Sequence, residues 1–453
     1  MSSDPSGKAV LVAVKLPETN EADFRASLVE LERLVKTLGY EVVERITQTR
    51  DSLSPAAVIG EGKLEQLAKL TGGTGETRFK PPTTGARPEA EAEADADADA
   101  DDLGSGDSGS EPEKAPIALI AVDHEISPSQ LRNLERATGV STLDRTGVII
   151  EIFHRHARSR EARLEVEIAR LKYTAPRLRE APRGKERQQG RGAGESQLEL
   201  DRRRIRDRIA ELGDELERAQ KERDTRRQRR RDAQRVALVG YTNAGKSSLM
   251  RALTGSAVLV EDKLFATLDT TVRALHPETR PRILISDTVG FIRKLPHDLV
   301  ASFKSTLDEA LEASLLLEVV DASDPDFPAQ IAVTRQVLSE IGAGDVPRRL
   351  LFNKVDRLSQ AARLELTDQF ADAWLVSARN PDDVAELRAK ILEAFAQGYV
   401  ETTFSVPYTR QALLAQMHES GKVLEQAYTE QGVDVRFEGD PETIDRLRRE
   451  LGG

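Results

Sequence analysis

The stretch Val236-Ala-Leu-Val-Gly240-Tyr-Thr-Asn-Ala-Gly245-Lys246-Ser247-Ser-Leu-Met-Arg251 decides the fold. An apolar run leads into G-x-x-x-x-G-K-S, and helix-forming residues follow, so it reads as strand, phosphate-binding loop and helix. Across Gly240, Tyr241, Thr242, Asn243, Ala244 and Gly245, successive backbone N–H groups turn inward on a polyphosphate. The positive end of the following helix dipole lies behind them. Lys246 is placed to reach the β- and γ-phosphates, and the Ser247 hydroxyl to ligate Mg2+.

Downstream, Ile283 to Gly290 is an apolar strand ending in D-x-x-G, formed by Asp287, Thr288, Val289 and Gly290. D-x-x-G alone ends many strands; after a phosphate loop it reads as a switch, with Asp287 holding Mg2+ through water and the Gly290 N–H meeting the γ-phosphate. A second strand, Leu350 to Phe352, runs into N-K-x-D at Asn353, Lys354, Val355 and Asp356. The Asp356 carboxylate is acceptor-only and suits the paired N1–H and N2–H2 donors of guanine, whereas adenine offers an acceptor at N1. Asn353 is expected at the ring edge, with the Lys354 stem over the base. Trp374 to Ala378 supplies a further strand end, whose N–H groups at Ser377 and Ala378 are placed for guanine O6.

Between the phosphate loop and D-x-x-G lies Phe265-Ala266-Thr267-Leu268-Asp269-Thr270. A nucleotide switch needs a Thr there whose hydroxyl closes on Mg2+; Thr267 is the first choice and Thr270 the alternative. Phe291 stands where Ras-type GTPases carry the water-positioning Gln. A phenyl ring cannot orient water, so the sequence predicts slow intrinsic turnover and leaves the catalytic group unidentified.

Working outward, 453 residues suffice for about three domains. Residues 1–155 alternate strand and helix patterns: strands at Val10–Val14, Glu41–Thr47, Ile117–Val122 and Val148–Phe153, helices at Glu21–Leu38, Lys63–Leu70 and Ser127–Thr138. That alternation predicts a parallel sheet covered by helices. Residues 156–234 are helical, with Leu164, Ile168 and Leu171 on one stripe and Leu198, Ile205, Ile209, Leu212, Leu216 and Ala219 on another. Gly190 to Glu195 breaks the two runs, predicting an antiparallel hairpin with a mobile tip. Residues 235–400 are the nucleotide domain. Residues 401–453 predict a small α+β appendage, with strands at Phe404–Tyr408 and Val433–Phe437 and helices at Gln411–Tyr428 and Thr443–Leu451.

With no cysteine, disulfides, thiolate metal sites and a cysteine nucleophile are excluded. No secretory signal and no apolar run of about 20 residues is present, which predicts a cytoplasmic protein without a membrane span. The net charge of −11 argues superficially against polyanions. However, eight of the acids sit in Glu89 to Asp102, EAEAEADADADADD, inside an interruption at about 72–115 that reads as a disordered insertion. Arg223 to Arg231 carries six arginines against one aspartate, a pattern suited to phosphates.

These residues together resemble the HflX family of GTPases. GYTNAGKS, FATLD from Phe265, DTVGFIRKLPHDLV from Asp287 and NKVD from Asn353 are close to the family's forms. So are GEGK at Gly60–Lys63, Ile126–Gln130, RNLE at Arg132–Glu135 and LDRTGVIIEIF at Leu143–Phe153. At the hairpin tip Ala193 stands where the family usually has proline. The resemblance implies an α/β fold: a P-loop GTPase domain preceded by an α/β domain and a long helical hairpin, and followed by a small α+β domain. It implies a monomeric factor that binds the large ribosomal subunit through ribosomal RNA, hydrolyses GTP with Mg2+ held by Ser247 and Thr267, and splits or rescues stalled ribosomes. A GTP-dependent RNA-modification or assembly factor, and a signalling GTPase with a protein effector, are the alternatives.

Overall fold

The computed structural model describes residues 7–76, 116–178, 197–228, 233–256, 264–265, 268, 270–294 and 304–452. The acidic stretch Glu89–Asp102, the hairpin tip, and the side chains of Arg223–Arg231 lie outside the described residues. Two compact units divide the chain, Met1–Val148 and Ile149–Gly453.

In the first unit, β1 (Gly7–Lys15), α1 (Glu21–Thr37), β2 (Tyr40–Thr49), α2 (Glu61–Thr71), β3 (Ile117–Val122), α3 (Pro128–Thr138) and β4 (Ser141–Asp144) follow in order. The strands form one sheet, ordered β2-β1-β3-β4 and parallel throughout. Alternation of strand and helix is the cause, because a parallel return needs a crossover and the helix supplies it. Ser127 opens α3 through a capping box with Gln130. Val10, Val12, Ile120 and Val122 pack beneath Leu64, Leu67, Leu131 and Leu134. At the carboxyl end of β3, buried Asp123 accepts from Arg145 (2.7 Å) and Ser27 (2.6 Å), while Arg145 also donates to Glu30 (2.7 Å).

The expected strand at Val148–Phe153 is a helix instead, α4 (Arg145–His156). Val148, Ile149, Ile150, Ile152 and Phe153 are all buried, so no polar face marks the period, and a short apolar run fits either structure. The Asp144 carboxylate settles the matter by accepting the Gly147 N–H (2.8 Å), which caps the first turn.

In the second unit, α5 (Arg160–Thr174) and α6 (Gln197–Gln228) pair as a hairpin. Arg160 meets Glu215 and Arg208 meets Glu167, so the helices run antiparallel. Leu164, Ile168 and Leu212 form the buried seam.

The nucleotide domain follows as β5 (Gln234–Gly240), α7 (Lys246–Thr254), β6 (Thr271–Ala274), β7 (Ile283–Asp287), α8 (Lys304–Leu311), β8 (Leu315–Asp321), α9 (Phe327–Glu340), β9 (Arg348–Asn353), α10 (Gln360–Gln369), β10 (Trp374–Leu375) and α11 (Pro381–Ala396). The sheet order is β10-β9-β8-β5-β7-β6, and only β6 runs antiparallel to its neighbour. Leu249, Leu253, Leu387 and Ile391 of α7 and α11 cover one face. Ala310, Val337 and Leu338 of α8 and α9 cover the other. The nucleotide motifs all leave the carboxyl ends of parallel strands, where such folds place their ligands.

The chain closes with β11 (Val400–Pro407), α12 (Ala412–Ser420), β12 (Lys422–Tyr428), β13 (Gly432–Gly439) and α13 (Pro441–Gly452). The expected helix at Gln411–Tyr428 therefore stops at Ser420, and its second half is the edge strand β12. Gly421 is the reason: it is extended (φ −167°), and a Cβ there would lie 2.1 Å from Phe437 Cζ. The chain turns where only a glycine can pass the ring. No helix among the described residues is long and apolar enough to cross a membrane.

Candidate functional site

The phosphate loop runs from the end of β5 into α7. Gly245 is left-handed (φ +94°) and so close to Asn353 that a Cβ would lie 2.1 Å from Nδ2. It precedes a helix start with no side-chain cap, leaving the first N–H groups of α7 available to an anion. Lys246 is 6% exposed and donates to Gly240 O (3.1 Å) and Tyr241 O (2.9 Å). Burial lowers its pKa to about 8; the Asp287 charge opposes the shift and Lys354 adds to it. The Thr242 hydroxyl is buried with no hydrogen-bond partner among the described residues.

Ser247 and Asp287 are brought together: Oγ donates to Oδ2 at 2.6 Å, and Asp287 is fully buried. A hydroxyl beside a carboxylate, both oxygen donors, fits a hard cation such as Mg2+. Thr288 donates to Leu238 O (2.8 Å), fixing the strand end next to the loop. Val289 is buried, and Gly290 packs against Thr242 and Lys246. Phe291 points away from this cluster, its ring 1% exposed among Ala237, Val239, Leu316 and Leu338. It is a core residue of the sheet face under α9.

In the switch segment, Phe265 and Leu268 are buried, and the Phe265 ring stands edge-on to Phe153 at 4.6 Å between centroids. Ala266, Thr267 and Asp269 lie outside the described residues, and Thr270 directly precedes β6.

At the base end, Asn353 is the connector. Its Nδ2 donates to Ala244 O of the phosphate loop (2.8 Å), and its Oδ1 accepts from the Ala378 N–H (3.2 Å). Lys354 is left-handed (φ 63°), with Nζ donating to Asn243 O (2.6 Å) and paired with Asp321 (2.7 Å). Val355 is buried, whereas Asp356 is exposed in a 3-10 turn. The Ser377 hydroxyl donates to the Asp356 carboxylate (2.6 Å) and holds its pKa below the ordinary value. The Ser377 and Ala378 N–H groups, expected at guanine O6, donate within the protein to Asp383 (2.7 Å) and Asn353.

Sequence reasoning missed Asp321 and Asp383, which orient Lys354 and Ser377. Asp321 had a readable signal, an acid closing the strand-like run Leu315–Asp321; Asp383, inside a helix start, had none.

A mostly parallel sheet with a phosphate loop, D-x-x-G and N-K-x-D at its carboxyl edge defines a P-loop GTPase. The family model "50S ribosome-binding GTPase" matches residues 235–354. "GTP-binding GTPase Middle Region" matches 156–230, and "GTP-binding GTPase N-terminal" matches 25–77 and 110–154. A GTPase HflX of Gluconacetobacter diazotrophicus is 58% identical, over 99% of this chain and 98% of its own. That of Escherichia coli is 36% identical, over 89% of this chain and 86% of its own. The chain belongs to the HflX family of GTPases. A solved GTP-binding protein of Sulfolobus solfataricus in complex with GDP is also similar, at 22% identity and a TM-score of 0.43, over 85% of this chain and 99% of that one.

Proposed function

We propose that this chain is a cytoplasmic, monomeric GTPase that acts on the large ribosomal subunit, splitting or rescuing stalled ribosomes, with GTP and Mg2+ in the pocket just described. The observation that carries the site is Asn353, whose one side chain ties the phosphate loop to the base segment. The division of labour follows from the chemistry. Residues 240–247 wrap the phosphates, with Lys246 as the cation on the β- and γ-phosphates. Ser247 and Thr267 would hold Mg2+, with the Asp287 carboxylate assisting, and Phe265 to Asp269 would be the switch segment. Mg2+, when bound, neutralises charge on the transferring phosphoryl group. Asp287 to Gly290 sense the γ-phosphate, and Asn353 to Asp356 select guanine, with the Ser377 hydroxyl orienting the Asp356 carboxylate and the Ala378 N–H the Asn353 amide.

With Phe291 in the core, no side chain at that position orients water. Turnover therefore depends on a partner that orders the switches or supplies a polar group. The ribosome is the favoured partner on the family model matched at residues 235–354 and the arginine run at Arg223–Arg231. The domain limits adopted are 1–155, 156–234, 235–400 and 401–453.

The test is sedimentation of purified ribosomal subunits with the protein, in GDP or a non-hydrolysable GTP analogue, alongside GTP turnover with and without subunits. Analogue-dependent co-sedimentation with the large subunit and faster turnover are expected. Absence of both overturns the ribosomal reading.

A further inference from the structure

The residues just past D-x-x-G are stapled to the phosphate loop. The Phe291 N–H donates to Gly240 O (3.1 Å) and the Thr242 N–H donates to Phe291 O (2.8 Å), forming a short parallel bridge. A third rung comes from a side chain: the Arg293 N–H donates to the Tyr241 hydroxyl at 2.8 Å. The buried Phe291 ring anchors the tail from the other side.

Gly290 bears the consequence. A Cβ there would lie 2.8 Å from Thr242 Cα and 2.9 Å from Lys246 Nζ. Lys246 meanwhile donates to carbonyls of the loop itself. A γ-phosphoryl group held by both the ammonium and the Gly290 N–H must sit between them, each contact spanning about 2.7–3.2 Å. The Gly290 backbone packs against the loop and the lysine, so a γ-phosphoryl group that accepts from both the ammonium and the Gly290 N–H has to part them. A diphosphate makes no demand on Gly290.

We infer that Tyr241 is a specificity-determining residue, whose hydroxyl latches the D-x-x-G tail onto the phosphate loop and biases the pocket toward GDP over GTP. This rests on the guanine site proposed above. GTP enters by drawing Gly290 away from the lysine, which strips the tail from the loop and breaks the tyrosine rung. Apparent affinity for a ligand falls in proportion to the fraction of molecules in the competent arrangement, and the latch lowers that fraction for GTP alone. A partner that pulls on residues 291–293 raises GTP affinity without touching the nucleotide.

Tyr241→Phe keeps the ring and removes the rung. Calorimetric Kd values for GDP and a non-hydrolysable GTP analogue are compared between variant and parent. The ratio of analogue affinity to GDP affinity is expected to rise about three- to tenfold, the size of one net hydrogen bond. General loosening of the loop would weaken both ligands, so the ratio is the readout. An unchanged or reversed ratio overturns the latch while leaving the guanine site standing; no GDP binding by either protein overturns the site itself. Amide exchange on the parent protein gives an independent arm. Protection at Phe291 and Arg293 with GDP, lost with the GTP analogue, is expected; protection in both states overturns the proposal.

Discussion

Raising the pH should weaken GTP binding through one side chain, Lys246. Burial lowers its pKa from 10.5 to about 8, and bound phosphates would restore the charged form by placing opposite charge beside it. Binding then takes up a proton wherever the lysine starts neutral, about half a proton at pH 8 and about nine-tenths at pH 9. Affinity accordingly falls about tenfold between pH 7 and pH 9. Fold stability moves the other way. Between pH 8 and 10.5 the folded chain binds fewer protons at this site than the unfolded one, so stability rises with pH across that window, by about 3 kcal/mol in total. Opposite trends separate this mechanism from ordinary alkaline unfolding, which would weaken both. Titration calorimetry with GTP in buffers of differing ionisation enthalpy counts the protons, and thermal melts follow stability. Zero proton uptake at pH 9, with flat affinity, would refute the reasoning.

Asp356→Asn replaces an acceptor with a group that also donates, so GTP affinity should drop about 10- to 100-fold while xanthosine triphosphate gains; competition binding that retains full guanine preference counts against the base assignment. Leu212→Ala opens the hairpin seam against Leu164 and Ile168, at about 2–5 kcal/mol of local stability, and should weaken co-sedimentation with the large subunit at unchanged GTP affinity; equal co-sedimentation would show that the arm does not bind there. Burial raises the pKa of Glu318, in mid-strand β8, against the pull of Arg335. A raised carboxyl favours folding below its ordinary 4.5 and loses that contribution as pH climbs through the folded value. Glu318→Gln should therefore melt higher than the parent at pH 7 and gain less at pH 4.5, by scanning calorimetry; identical differences at both pH values would contradict it.

Much of this molecule was legible because chain-local chemistry decides it. The turn of the phosphate loop, the N-cap at Ser127 and the strand-helix alternation of residues 1–155 each act within a few residues. Illegible features depend on what arrives from elsewhere. Val148–Phe153 carries no polar face to set its period, and Gly421 breaks a helix only because Phe437 packs beside it. Phe291 reads in sequence as a lost catalytic group, yet its core position follows from Leu316 and Leu338 on other elements. The pairing of Tyr241 with Arg293 uses a main-chain donor, and no side-chain pattern records that.

The amide of Asn353 faces two ways at once, and this makes the end of β9 a ruler. Its nitrogen holds the phosphate loop and its oxygen the segment at Ala378, so the two ends of the proposed nucleotide cradle are set at one spacing. A carboxylate in its place would set an acceptor oxygen against the Ala244 carbonyl and sever the scale in the middle.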